Sequence, residues 1–341
     1  MKTNIFIAGF LMVAAMAFPQ GQIVLQDGDN IFVHNRLDTI MGRAKDGNFI
    51  YLPGGNIVLT TTLVINKSVH IYGAGHYPDS SAATSVTYIS GSNIVIGEEG
   101  DGTTLTGFYF ANEIALGTST QDTVQFIDIS RCNLANLRLG YTSGQRNSGQ
   151  TNIRVAECVI RGVISGADAQ FCLFENNIIE GSISYFTGNV SFVNNVFNYY
   201  YSAYDVFQSC TGIVVNNNIF ARDSHGLTGS QLNNNIFTVN VVGAPGGTNI
   251  GDNNIGNQLL SDIFVNFDGS IFNYSLDYHL KEGSAGIGAA TDGLDIGLYG
   301  GLNSYKPSAV PANPHIRYVN IPRQSTNGKL QVEVHAAAQD N

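Results

Sequence analysis

Between residues 125 and 260 one short pattern returns seven times, and it restricts the fold more than anything else in the chain. The segments are FIDISRCNL, IRVAECVIRG, CLFENNIIEG, SFVNNVFNY, VVNNNIFAR, QLNNNIF and GDNNIGN. Each is a β-branched or aromatic run that ends in a small polar residue. Aligned on that residue, Cys132, Cys158, Asn177, Asn195, Asn218, Asn235 and Asn254 share one position, at spacings of 26, 19, 18, 23, 17 and 19 residues. A helical repeat would need 3.6-residue patterning over about ten residues or more. These runs are shorter and bounded by Gly, Ser, Asn and Asp, which suits strands. One such strand cannot bury a face alone. Stacking successive circuits about 4.8 Å apart gives each strand two parallel neighbours. Loops between circuits can then vary in length, which accommodates the irregular spacing. An Asn at one corner of every circuit can bond to its counterparts above and below, as in the side-chain ladders of stacked strands. Calcium would need carboxylates in number, and these segments offer few.

Composition sets the class and narrows the partners. Charged residues are 12% of the 341 and apolar residues 43%, so the chain can build a core. The 16 basic and 26 acidic residues give a net charge of −10, which argues against nucleic acid. Lys2, the apolar run from Ile5 to Phe18 and the small-x-small site Ala15-Met16-Ala17 read as a secretory signal peptide within residues 1–21. The run is too short for a comfortable span, and no other stretch in the mature chain could cross a membrane. A secreted or cell-surface location is expected. Cys132, Cys158, Cys172 and Cys210 have neither disulfide-scaffold nor zinc spacing and read as small core residues.

With these coils in place, the chain resembles the right-handed parallel β-helix proteins of the pectate-lyase-like superfamily. The resemblance rests on the opening segments Asn48–Gly55 and Leu63–Gly75, on the Asn-bearing coils, and on Asp277–Ser284 through Asp292–Gly301, which looks like the closing segment of secreted bacterial members. It implies an all-β, right-handed parallel β-helix solenoid over residues 22–303, with roughly ten or eleven coils of about twenty residues. Residues 304–341 form a separate tail. Pro307, Pro311 and Pro314 mark a linker, and 316–321 and 330–334 alternate with period two around Asn327-Gly328. That strand pair is too small to stand alone and is expected to cover the side or end of the solenoid.

The superfamily implies polysaccharide lyases and glycoside hydrolases as one functional class. Their paired carboxylates, arginine-rich signature and calcium-binding aspartates are not recognisable in this sequence. Asp292 and Asp295 read as turn residues, Arg161 and Glu180 as a coil-to-coil ion pair, and His70 as a structural histidine. Gly73-Ala74-Gly75 lacks the third glycine and the helix of a dinucleotide fingerprint. No cofactor and no metal is expected. One constellation stands out. By alignment Tyr199 lies over Arg222, Tyr200 over Asp223 and Tyr201 over Ser224, with Tyr185 on the neighbouring coil and Tyr204 and His225 close by. Aromatic faces beside charged donors suit a saccharide. Tyr185, Tyr199, Tyr201, Tyr204, Arg222, Asp223 and His225 are therefore the expected binding patch. The sequence favours a non-catalytic exported surface or matrix protein binding polysaccharide or a protein partner, with a lyase or hydrolase as the alternative.

Overall fold

The residue ahead of each ladder position turns the chain. Arg131, Glu157, Asn176, Asn194, Asn217, Asn234 and Asn253 all adopt left-handed φ, between 51° and 60°. Asn tolerates that region better than most residues, which explains the doubled asparagines: the first bends the backbone and the second points inward. In this computed structural model, residues 21–142, 149–199, 205–222, 225–239, 247–312, 315–320, 322 and 327–338 are described. The expected signal segment, residues 1–21, lies outside them except for Gly21.

The inward residues form the expected ladder. The amide nitrogen of Asn177 donates to Asn195 Oδ1 at 3.0 Å and its Nδ2 donates to the same oxygen at 2.9 Å. Asn195 repeats both bonds to Asn218, Asn218 to Asn235, and Asn235 to Asn254. Each Nδ2 also reaches a backbone carbonyl one circuit back, as from Asn218 to Phe192 at 2.8 Å. Cys158 joins by donating its amide to Asn177 Oδ1, and Cys132 by donating to Cys158 Sγ. All four cysteines are buried free thiols. Burial pushes the Cys172 thiol up to about 12 and the Cys210 thiol up to about 11.

On either side of this corner the strands stack in two sheets of 11 and 14 strands. Pairing is parallel from Asn48–Tyr51 onward in the first sheet and throughout the second. The fold is thus all-β and compatible with a parallel β-helix. Side chains alternate across each short strand. Phe174 and Phe192 stack inside at 4.6 Å, and Phe220 and Phe237 at 4.5 Å. The first sheet begins with the antiparallel strands Ile23–Asp27 and Asn30–His34. Helix α1 (Leu37–Arg43) follows and buries Leu37, Ile40 and Met41.

The closing segment does not simply end the stack; it runs back along the outside. Val159, Ile178, Val196, Ile219 and Ile236 form an outward apolar row, buried against Phe264, Phe267, Tyr278, Ile296, Leu298 and Tyr305. Two polar rows flank it. On one side, Arg222, Asn198 and Glu180 bind the backbone of Gly269, Ser270 and Phe272. On the other, Asn234, Asn217, Asn176 and Arg131 bind Ala289 O, Thr291, the Leu298 and Gly300 carbonyls, and Val310 O. Four of the seven bend residues, Arg131, Asn176, Asn217 and Asn234, therefore also grip this strap. Asp292 and Asp295 make the expected turn bonds, accepting from the Leu294 and Gly288 amides.

Three expectations change. Residues 305–310 belong to the strap, with Tyr305, Ala309 and Val310 buried, so a boundary at 303 passes through a packed element. The tail strands are His315–Asn320 and Glu333–Ala337, and residues 316–320 and 333–336 are exposed rather than laid on the solenoid, Tyr318 by 44% and Val334 by 50%. Arg161 does not form a salt bridge with Glu180. It donates to Asn133 Oδ1 at 2.6 Å and to Phe110 O at 3.0 Å, and lies 4.3 Å from the Tyr109 ring centroid.

Replacing Asn218 by Leu leaves the Asn195 amide and the Phe192 and Asn216 carbonyls without this partner. Each buried orphan costs about 1–3 kcal/mol, so thermal unfolding should show a clear drop in Tm. Asn217→Gly keeps the bend and loses only the grip on Thr291, whereas Asn217→Ala adds about 1–2 kcal/mol of left-handed strain. Urea unfolding should rank wild type above Gly and Gly above Ala. Under the strap, burial holds His76 neutral, lowering its pKa from 6.5 to about 3. The unfolded chain takes up this proton first, so stability is lost as pH falls from 6.5 toward 3, by up to about 1.4 kcal/mol per pH unit. Melting curves of His76→Phe should decline less over that window than those of wild type.

Candidate functional site

Strand alternation and parallel register bring one outward band of the first sheet, two residues wide, together from residues 21 to 34 positions apart. Phe49 lies beside His70, Tyr51 beside Tyr72, then Thr104 and Thr106, Asp128 and Ser130, Arg154, and Glu175. The row starts aromatic: Phe49 and His70 centroids are 5.0 Å apart, and Tyr51 and Tyr72 are stacked at 5.9 Å. Hydroxyls follow, with Thr104 Oγ1 3.1 Å from His70 Nδ1 and Thr106 Oγ1 3.1 Å from Ser130 Oγ.

Charge follows the hydroxyls. Arg154 bridges three circuits, meeting Asp128 at 2.8 Å and Glu175 at 2.7 Å. Beside it Arg131 pairs with Glu157 at 3.1 Å, both side chains nearly buried. Burial pushes the Glu157 carboxyl up, opposed by Arg131, Arg154 and Lys306. Burial also raises the Tyr72 phenol. The groove over this row has a volume of about 440 Å³, and Leu302, Asn303, Lys306 and Ala312 at the end of the strap line it. A larger cleft of about 830 Å³ lies at the N-terminal end. Its charged residues, Arg36 and Asp38, satisfy each other in an exposed ion pair, so the groove on the first sheet carries the richer chemistry.

The structure distributes the expected patch differently. Tyr199 is buried in the core at 6% exposure. The Arg222 guanidinium is turned to the strap, bonding Gly269 O and Asn198 Oδ1. His225 is half-buried, edge-on to Phe220 and Phe237, and its Nδ1 accepts the Leu227 amide at 2.9 Å. Burial lowers its pKa. Tyr185 is half-buried with φ of 60°. Tyr201, Tyr204 and Asp223 lie outside the described residues. Of the four described members, then, Tyr199 faces the core and Arg222 the strap.

Among the described residues, no group of three or more His, Cys, Asp and Glu could hold a metal ion. Nor is any helix among them long and apolar enough to cross a membrane. No protein-family model matches the chain, and no curated protein matches it in sequence.

Arg154→Leu removes the cation between two carboxylates on the circuits before and after its own. The pair is about one-third exposed, so a loss of about 1–2 kcal/mol is expected at neutral pH. Chemical unfolding should show that loss shrinking at high salt, which screens partly exposed ion pairs.

Proposed function

We propose that the chain is an exported, right-handed parallel β-helix of the pectate-lyase-like kind that binds polysaccharide along the outer face of its first sheet without cleaving it. The observation that carries this reading is the pair of adjacent outward rows that leads from Phe49 and Tyr51 to Arg154 and Glu175. Aromatic rings offer apolar faces to sugar rings. The Thr and Ser hydroxyls and the Arg154 guanidinium offer hydrogen bonds to hydroxyl or carboxylate substituents. The row follows the stacking direction, so successive sugars of an extended chain would meet successive circuits. The charged groups support binding over turnover: Asp128 and Glu175 share Arg154, and Glu157 is held by Arg131. General acid–base work needs a carboxyl within reach of the scissile bond.

One observation favours a hydrolase as second reading. Glu157 lines the groove with Asp128, and its raised pKa suits a general acid. A panel of neutral and uronate-bearing polysaccharides separates the two. Binding by affinity electrophoresis, with neither new reducing ends nor unsaturated products, is expected. Tyr72→Ala and Arg154→Ala should each weaken binding by about tenfold or more while the far-ultraviolet circular dichroism stays that of wild type. Product formation abolished by Glu157→Gln would establish the hydrolase instead.

A further inference from the structure

The N-terminal end of the stack is covered unevenly. The hairpin Ile23–Asp27 and Asn30–His34 pairs onto the first sheet, and α1 lies over the core. Among the described residues the second sheet receives no strand there, although α1 approaches Gly55–Leu59. Its first strands, Gly55–Leu59 and Leu63–Ile65, pair with Thr87–Gly91 and Ile94–Ile96. Among the described residues neither has a partner on its other side. The Gly55 amide donates to Val86 O, the Leu59 carbonyl accepts from Ser92 N, and Leu63 and Ile65 bond the same way to their neighbours. In a parallel ladder alternate residues bond to opposite sides, so Asn56, Val58 and Val64 turn their N–H and C=O groups to the open edge. Val58 is 59% and Val64 41% exposed. The cleft of about 830 Å³ runs along this edge, between it and Arg36–Asp38.

The opposite end of the chain carries the complement. The ribbon of His315–Asn320 and Glu333–Ala337 is two-stranded, and a two-stranded ribbon is marginal by itself in water. From Leu330 to Ala336 apolar residues alternate, and Leu330, Val332 and Val334 are each about half exposed. Residues 313–341, which hold the ribbon, carry Arg317, Arg323 and Lys329 against Glu333 and Asp340, while the whole chain is −10. A ribbon without net negative side-chain charge therefore follows an acidic body, and their charges do not oppose docking.

We propose that the C-terminal ribbon of one copy adds as a strand to the open Gly55–Leu59 edge of the next, joining copies head to tail. The bonds would be main-chain hydrogen bonds to Asn56 and Val58, the mode by which extended segments augment exposed sheets. Because donor and acceptor are different surfaces, the contact is heterologous and generates open chains of copies unless a rotation closes them. This proposal is independent of the saccharide groove, which lies on the other sheet.

Sedimentation velocity on the full chain tests it. A concentration-dependent series beyond the dimer is expected; a single monomeric species at every concentration overturns the proposal. A chain ending at Ala312 keeps the strap and loses the ribbon, and should be monomeric. Val58→Pro removes an edge N–H that is not used within the sheet, where proline is tolerated. It should weaken association by about tenfold or more, the factor that corresponds to roughly 1.4 kcal/mol. Should Val58→Pro fail to melt like wild type, Asn56→Lys with Val64→Lys places charge on the same edge without touching the backbone. A fluorescent peptide of residues 313–341 should bind the chain ending at Ala312, and bind the edge variant of that chain about tenfold less or worse. Association that survives the edge variants, or persists without the ribbon, overturns the assignment.

Discussion

The asparagine ladder is the interaction on which the other features depend. Each rung closes a corner where the chain must reverse direction inside the protein, and a backbone amide there would otherwise be buried without a partner. Because one oxygen accepts both an amide and a side-chain N–H from its neighbour, a rung cannot be complete until the next circuit is in place. The ladder thus couples register between circuits. It also fixes which residue faces inward, and so which residues on either side face outward.

That assignment of faces decides where chemistry can sit. On one side of the corner it sends an aromatic, hydroxylic and then charged row to solvent along the first sheet. On the other it sends an apolar row outward, which could not remain in water. The strap answers that exposure, and four of the left-handed residues ahead of the rungs, Arg131, Asn176, Asn217 and Asn234, hold it. Arg131 and Glu157 occupy two of the seven bends although neither favours the conformation. They recover by pairing with each other at the edge of the groove, so a turn position in the core motif also shapes the candidate site.

The ladder was legible in the sequence because every circuit writes it with the same kind of residue, and the six spacings from Cys132 to Asn254 are those of the hydrogen-bonded pairs. The strap was legible only as a closing segment. Its contacts answer a surface assembled from five circuits and leave no period of their own. The tyrosine patch failed because its aligned members face different ways, Tyr199 to the core and Arg222 to the strap, and not because the alignment slipped. Phe197 pairs with Phe220, so Tyr199 and Arg222 correspond as expected. Yet alternation from inward Asn195 and Phe197 sends Tyr199 inward too, and sends Asn198 out to the strap. The groove left little local trace, since each circuit contributes only one or two residues to it. The outward positions of the strand pattern, Phe49 and Tyr51, His70 and Tyr72, Asp128 and Arg154, were its one signal.

The strap has a mechanical consequence. It crosses the stack lengthwise, bonded at Ala289, Thr291, Leu298, Gly300 and Val310 to coils far apart in sequence. Tension applied beyond Ala312 reaches Val310 and Arg131 first, then passes along this seam. Several coils share such a pull in shear, instead of peeling from the stack one after another.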